Sequence, residues 1–177
     1  LADNYDSLKY LIGYVPQQDI VYDKLTLRKM LSYTAQIRMP SDTGKEEREN
    51  RIRQVIHTIG LEGHEDTPIE SLSGGQRKRA SIAVELLADP KLFFLDEPTS
   101  GLDPGTERSL MEFLQKMTTE NKTVILVTHN TLNLHLCSKV IFLGYGGKLC
   151  FCGSPEEALA FFGVESFVEI YNLISEN

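Results

Sequence analysis

The run "KLFFLDEP" (91–98) constrains the fold more than any other stretch of this chain. Its unbroken apolar core, with no polar alternation, predicts a strand covered on both faces, as in parallel sheets. It ends in two adjacent carboxylates, Asp96 and Glu97, before a proline. "TVILVTH" (123–129) repeats the pattern and ends at His129. Between the two, Asp103 and Pro104 supply the N-cap and first position of a helix with Leu110, Phe113, Leu114 and Met117 on one stripe. Apolar strands alternating with helices predict an α/β fold built on a parallel sheet. Ligands of such sheets collect at the carboxyl ends of the strands. Asp96, Glu97 and His129 are therefore candidate site residues, with Gln17 after the strand in "YLIGYVP" (10–16).

The rest of the chain fits around this sheet. Residues 25–39 predict a helix with Leu27, Met30, Leu31 and Thr34 on one side. Thr43 and Glu46 have capping-box spacing for the next helix, where Ile52, Val55, Ile56 and Ile59 recur and Gly60 stops the run. A helix over 76–88 turns Ala80, Ala83, Val84 and Leu87 inward. "KVIFL" and "KLCF" predict two strands joined by "GYGG", and Ser154, Pro155 and Glu157 open a last helix closed by Gly163. Residues 18–90 are helical throughout and read as a subdomain inserted into the sheet.

Composition excludes some functions. A net charge of −7 argues against a nucleic-acid partner, for which a basic face is needed. The three cysteines form no disulfide framework, and Cys150 and Cys152 are expected to be buried as small hydrophobes on one strand face. No apolar run approaches the roughly 18–20 residues that span a bilayer. "LADNYDSLKY" has no signal-peptide layout and no initiator Met, and reads as the middle of a longer chain.

Asp96 stands where an acid after an apolar strand can hold Mg²⁺ on nucleotide phosphates, and Glu97 is placed to orient an attacking water. An acid pair that merely caps a turn is the plainer alternative. In "LSGGQRKRAS" (72–81), Ser73 has the type of an N-cap, while Gly74 and Gly75 leave backbone N–H groups uncovered ahead of Gln76. Helix N-termini of this kind bind anions. A flexible turn before a helix is the alternative there.

"LSGGQ", then "LFFLDEP", "SGLD" and "VTH", in that order, resemble the ATP-binding cassette of ABC transporters over nearly the whole chain. The resemblance implies a P-loop NTPase-type (RecA-like) α/β core carrying an inserted α-helical subdomain. Gln17 would be the Q-loop glutamine that touches Mg²⁺ and senses the membrane partner. Residues 72–76, with Ser73, Gly74, Gly75 and Gln76, would be the signature loop. Asp96 would be the Walker B acid, Glu97 the catalytic base, Ser100 to Asp103 the D-loop and His129 the switch histidine. "QRKRASIAVELL" and "GGKLCFCGSPEEALAFFGV" look like the G-type (White-like) subfamily. "DPGTERSLM" and "THNTLNLHLCSKVIFL" are most similar to bacterial members whose cassette follows a forkhead-associated domain and precedes an ABC-2 type permease. "SFVEIYNL" departs from the stretch usual in eukaryotic members, which loosens any transfer of their sterol or pigment substrates.

The implied function is ATP binding and hydrolysis that powers transport, with export as the direction, at the cytoplasmic face of a membrane. The implied partners are a second cassette and the permease, and the implied ligands are ATP and Mg²⁺. A non-transport ABC ATPase and a catalytically dead regulatory cassette are the other readings. No glycine of this sequence opens a G-x-x-x-x-G-K-[ST] phosphate loop. The expectation is a cassette truncated ahead of residue 1, inactive as an isolated piece. On that reading 1–17 ends the N-terminal core portion, 18–90 is the helical subdomain with the signature, and 91–177 is the core half with Walker B, D-loop and H-loop. The strands near 123–128 and 139–143 should then close up abnormally or keep edges that seek a partner.

Overall fold

The computed structural model describes residues 11–175, so the first ten residues of the expected 1–17 portion lie outside it. The chain divides into two units, one running to Val127 and the other starting at Thr128.

The first unit contains β1 (Ile12–Val15), α1 (Leu27–Arg38), α2 (Lys45–Thr58), α3 (Gly74–Leu86), β2 (Leu92–Asp96), α4 (Pro104–Thr119) and β3 (Thr123–Val127). Its strands form a parallel sheet in the order β1-β2-β3. Val15 pairs with Leu95, Leu95 with Leu126 and Asp96 with Val127, so all three strands end along one edge. Helix α3 packs against β1, and α4 packs against β3 and α3. Phe93 and Leu95 are fully buried while Leu92 and Phe94 are half-buried, so β2 is better covered on one face than on the other. Strand β3 departs from the expectation of full burial. Among the described residues it pairs with β2 alone, and Ile125 is 43% and Val127 61% exposed. Among the described residues it is an edge strand, paired on one side only.

Local chemistry sets the helix ends. The Thr26 hydroxyl accepts the Lys29 N–H (3.4 Å) and starts α1, whose buried stripe is Leu27, Met30, Leu31 and Ala35. Thr34 instead donates its hydroxyl to the Met30 carbonyl at 2.9 Å. Helix α2 begins one residue later than expected, with Gly44 at its N-cap and no side-chain cap, so the Thr43–Glu46 box does not form. The Thr43 N–H is already committed to the Pro40 carbonyl (3.0 Å) in the preceding turn. Gly60 ends the segment at φ +64°, a conformation that suits glycine.

In the second unit β4 (Val140–Leu143) and β5 (Leu149–Gly153) form an antiparallel two-stranded sheet. Helix α5 (Pro155–Phe162) follows, started by a Ser154–Glu157 capping box and closed at Gly163. The core here is Val140, Ala158 and Ile170, with Phe142, Phe151 and Phe162 against it. A further helix, α6 (Phe167–Ser175), was not expected. Its signal is Ser166 three residues before Glu169: the Ser166 hydroxyl accepts the Glu169 N–H at 3.4 Å. Cys150 and Cys152 are exposed, contrary to expectation. Phe151 takes the core-facing side of β5, which turns its two neighbours outward. Burial raises the thiol pKa of the half-buried Cys137. No described helix is long and apolar enough to cross a membrane.

Candidate functional site

The aligned strand ends gather the acids. Asp96 closes β2, and Glu97 follows it at φ +46° with its N–H donated to the Val127 carbonyl (2.9 Å). A positive φ is uncommon for a residue with a Cβ and costs about 1–3 kcal/mol, so the surroundings must hold it. Both acids are partly buried. The chain then turns tightly, with the Ser100 N–H on the Glu97 carbonyl (3.1 Å) and the Leu102 N–H on the Thr99 carbonyl (3.2 Å), to reach Asp103.

Asp103 is the N-cap of α4, accepting the N–H groups of Gly105 and Thr106, each at 3.1 Å. The Thr106 hydroxyl, joined by these amides, holds the Asp103 carboxyl below its ordinary value. Asp103 therefore shapes the loop through its backbone contacts.

The glycine turn sits at the start of α3. Ser73 is its N-cap, accepting the Gln76 N–H at 3.4 Å, and the Gln76 amide oxygen accepts the Ser73 N–H at 3.0 Å. The other end of the Gln76 side chain meets His64 Nε2 at 3.1 Å. Gln76 thus braces the turn with both polar atoms. Gly74 is exposed, whereas Gly75 is buried against α4, where an added Cβ would lie 2.3 Å from Thr106 Cγ2. Glycine at 75 serves close helix packing. At 73 and 74 the surface stays open, and the first N–H groups of a helix have no partner inside it. The Ser73 hydroxyl accepts one hydrogen bond and keeps its own proton to donate. These donors and the helix dipole fit a phosphate.

Gln17 lies two residues beyond β1, exposed, and its carbonyl accepts from Lys78 Nζ at 3.1 Å. Lys78, the middle cation of "RKR", was not among the expected site residues. A signal was present, because Ser81 and Ile82 flank Lys78 at helical spacing on the side opposite Ala80 and Ala83, and α3 is buried on both sides. His129 is exposed and belongs to the second unit, ahead of a turn in which Asn130 donates its N–H to the Thr128 hydroxyl (3.0 Å).

Among the described residues no group of three or more His, Cys, Asp or Glu could hold a metal unaided. That donor set fits Mg²⁺ that arrives on a phosphate, because Mg²⁺ takes one or two carboxylates and fills its shell with water and phosphate oxygens. A cavity of about 240 Å³ is lined by Arg51, Asp89, Lys91 and Lys122. Those residues lie at the amino ends of β2 and β3, the edge opposite the acids.

The family described as ABC transporter matches residues 2–100. An ABC transporter ATP-binding/permease protein of Mycobacterium tuberculosis is 41% identical over 98% of this chain and 20% of its own length. The broad substrate specificity ATP-binding cassette transporter ABCG2 of Bos taurus is 38% identical, over 90% of this chain and 26% of its own. ABC transporter G family member 22 of Arabidopsis thaliana is 40% identical over 88% and 21%. The chain thus spans about a fifth to a quarter of these relatives. Among solved structures, cbiO1 from Clostridium perfringens, part of the ABC transporter complex cbiONQ, superposes with a TM-score of 0.81 at 30% identity. That match covers 90% of this chain and 63% of the other.

Proposed function

This chain belongs to the ABC transporter ATP-binding family, with G-family transporters among its relatives, and from that premise we propose that it completes and fires an ATP site that drives transport. The observation that carries the reading is the pair at the end of β2, Asp96 followed by Glu97 in a left-handed conformation next to the β3 terminus. Asp96 takes the role of metal ligand on the phosphates, with the Gln17 side chain as a second oxygen donor. Mg²⁺ held there would neutralise phosphate charge during transfer. Glu97 orients a water in line with the γ-phosphate and accepts its proton, and His129 donates a hydrogen bond to the same phosphate.

The Ser73–Gly74–Gly75 turn, braced by Gln76, serves the nucleotide of a second copy. That assignment accounts for a phosphate-type turn without the Lys-Ser/Thr pair of a capturing loop. Asp103 holds the connecting loop in shape. Residues 18–90 act as the helical subdomain, and 91–177 as the core half with the two strand-end groups. Partners of this reading are a second cassette and a permease of the ABC-2 type at the cytoplasmic face of a membrane, with export as the direction.

Glu97→Gln, in the protein that carries this chain, should lower ATP turnover by about 10²-fold or more while nucleotide still binds. The isolated 177-residue chain should show no turnover. Turnover near the unsubstituted rate in the Glu97→Gln protein would remove Glu97 from the role.

A further inference from the structure

Lys78 is 4% exposed, and a lysine so buried has to be paired. Its Nζ lies 2.7 Å from Asp19 Oδ1 and donates to the Gln17 carbonyl at 3.1 Å. The two partners stand on either side of the Gln17–Asp19 link, so one ammonium fixes that short piece of chain at two points. No helix or strand covers residues 16–24, so side-chain contacts join isolated backbone bonds, such as the Glu70 N–H on the Asp23 carbonyl (3.2 Å), in setting its position. Arg77, the neighbour of Lys78, reaches Asp23 at 2.6 Å and Asp19 at 3.8 Å. Two turns further along α3, Glu85 accepts the Tyr14 N–H at 3.4 Å and pairs with Arg38 Nη2 at 2.7 Å. Glu85, Lys78 and Arg77 therefore hold residues 14, 17, 19 and 23 in chain order along one helix. The same helix begins at the Ser73–Gly74–Gly75 turn.

We propose that Lys78 is a positioning residue for Gln17, tying the loop after β1 to the helix that carries the glycine turn so that the two move as one body. Buried ion pairs are a poor source of net stability, and their best-attested use is to fix a register. Here the register fixed is that of Gln17 on α3. Lys78 touches no nucleotide in this scheme. Its effect on hydrolysis rests on the proposed roles of Gln17 and the turn, whereas its effect on the loop rests on the contacts alone.

The test compares unsubstituted protein with Lys78→Met, Lys78→Arg and Asp19→Asn in the protein that carries this chain, using two readouts. Cleavage by a low-specificity protease within residues 16–24 should quicken about tenfold or more in Lys78→Met, while residues 82–86 of the same helix stay resistant. In ATP hydrolysis, kcat should fall about tenfold with KM within about twofold, since a group is misplaced and no contact to substrate is lost. Lys78→Arg should recover most of both effects. Asp19→Asn, which leaves the bond to the Gln17 carbonyl in place, should move both in the same direction by less, and it serves as the variant if Lys78→Met does not fold. Unchanged cleavage within 16–24 in Lys78→Met, or in Asp19→Asn where that is the variant used, overturns the proposal. So does an unchanged kcat in these variants when Glu97→Gln, measured separately, abolishes turnover. If Glu97→Gln stays active, the functional reading fails, and the cleavage readout still decides the role of Lys78.

Discussion

Gly75 shows how a residue chosen for one reason on paper serves another in the fold. The sequence offers it as a bare backbone N–H, yet it is buried where α3 meets α4, with Thr106 Cγ2 in the space of any Cβ. Thr106 cannot swing aside freely, because its hydroxyl is bonded to Asp103. Gly75→Ala should destabilise the chain by about 1–3 kcal/mol in a denaturant titration. Adding Thr106→Ser, which deletes Cγ2 and keeps the hydroxyl, should return most of that loss. If the single variant shows no loss, α3 and α4 are not packed as described. Asp96 and Glu97 were legible as residues because an acid pair after an apolar strand is a compact pattern. The left-handed turn at Glu97 was not, since it arises from the hydrogen bond to Val127, about thirty residues later in the chain. Lys78 was missed for a related reason: a cation in "RKR" reads as solvated until Asp19 is seen opposite.

At the level of elements, strands and helices with strong periodicity were readable, and errors fell where neighbours decide. The apolar run of β3 gave a strand correctly but not its exposure, because burial depends on what lies beside an edge. Thr43 lost the cap of α2 to Gly44 because a preceding turn had claimed its N–H. The turn joining α3 to β2 was also invisible in the sequence. There Asp89 takes φ +50° and meets Lys122 at 2.8 Å, and Arg51 and Lys91 each at 3.2 Å. Partial burial pushes its carboxyl up. The hydrogen bonds of Lys122 and Lys91 and the charges of Lys122 and Arg51 outweigh that and hold the pKa at about 2, against an ordinary 3.8. A carboxyl depressed in the folded state contributes its stability above 3.8 and loses it as pH falls toward 2. Denaturant titrations at successive pH values should show less loss across that window in Asp89→Asn than in the unsubstituted chain. Parallel curves would mean that these three cations do not act on Asp89. The contribution is modest, since the group is half exposed and screened.

For the whole molecule, family and fold were legible because the motifs occur in one order along nearly the entire chain, and the family match and the likeness to a solved part of an ABC transporter complex bear this out. Among the described residues β3 pairs with β2 alone, and β4 pairs with β5. The larger claim is that the turn at Ser73 meets the phosphate of a second copy. Ser73→Asp tests it cleanly, because aspartate is as good an N-cap as serine and leaves the helix start intact. It also sets a negative charge where the phosphate should sit. In the protein that carries this chain, with Glu97→Gln to stop turnover, ATP and Mg²⁺ should convert monomer to dimer in a sedimentation measurement. Ser73→Asp added to that background should abolish the conversion while melting at the same temperature and binding ATP as a monomer. A dimer that forms with undiminished affinity in the Ser73→Asp protein would contradict the claim.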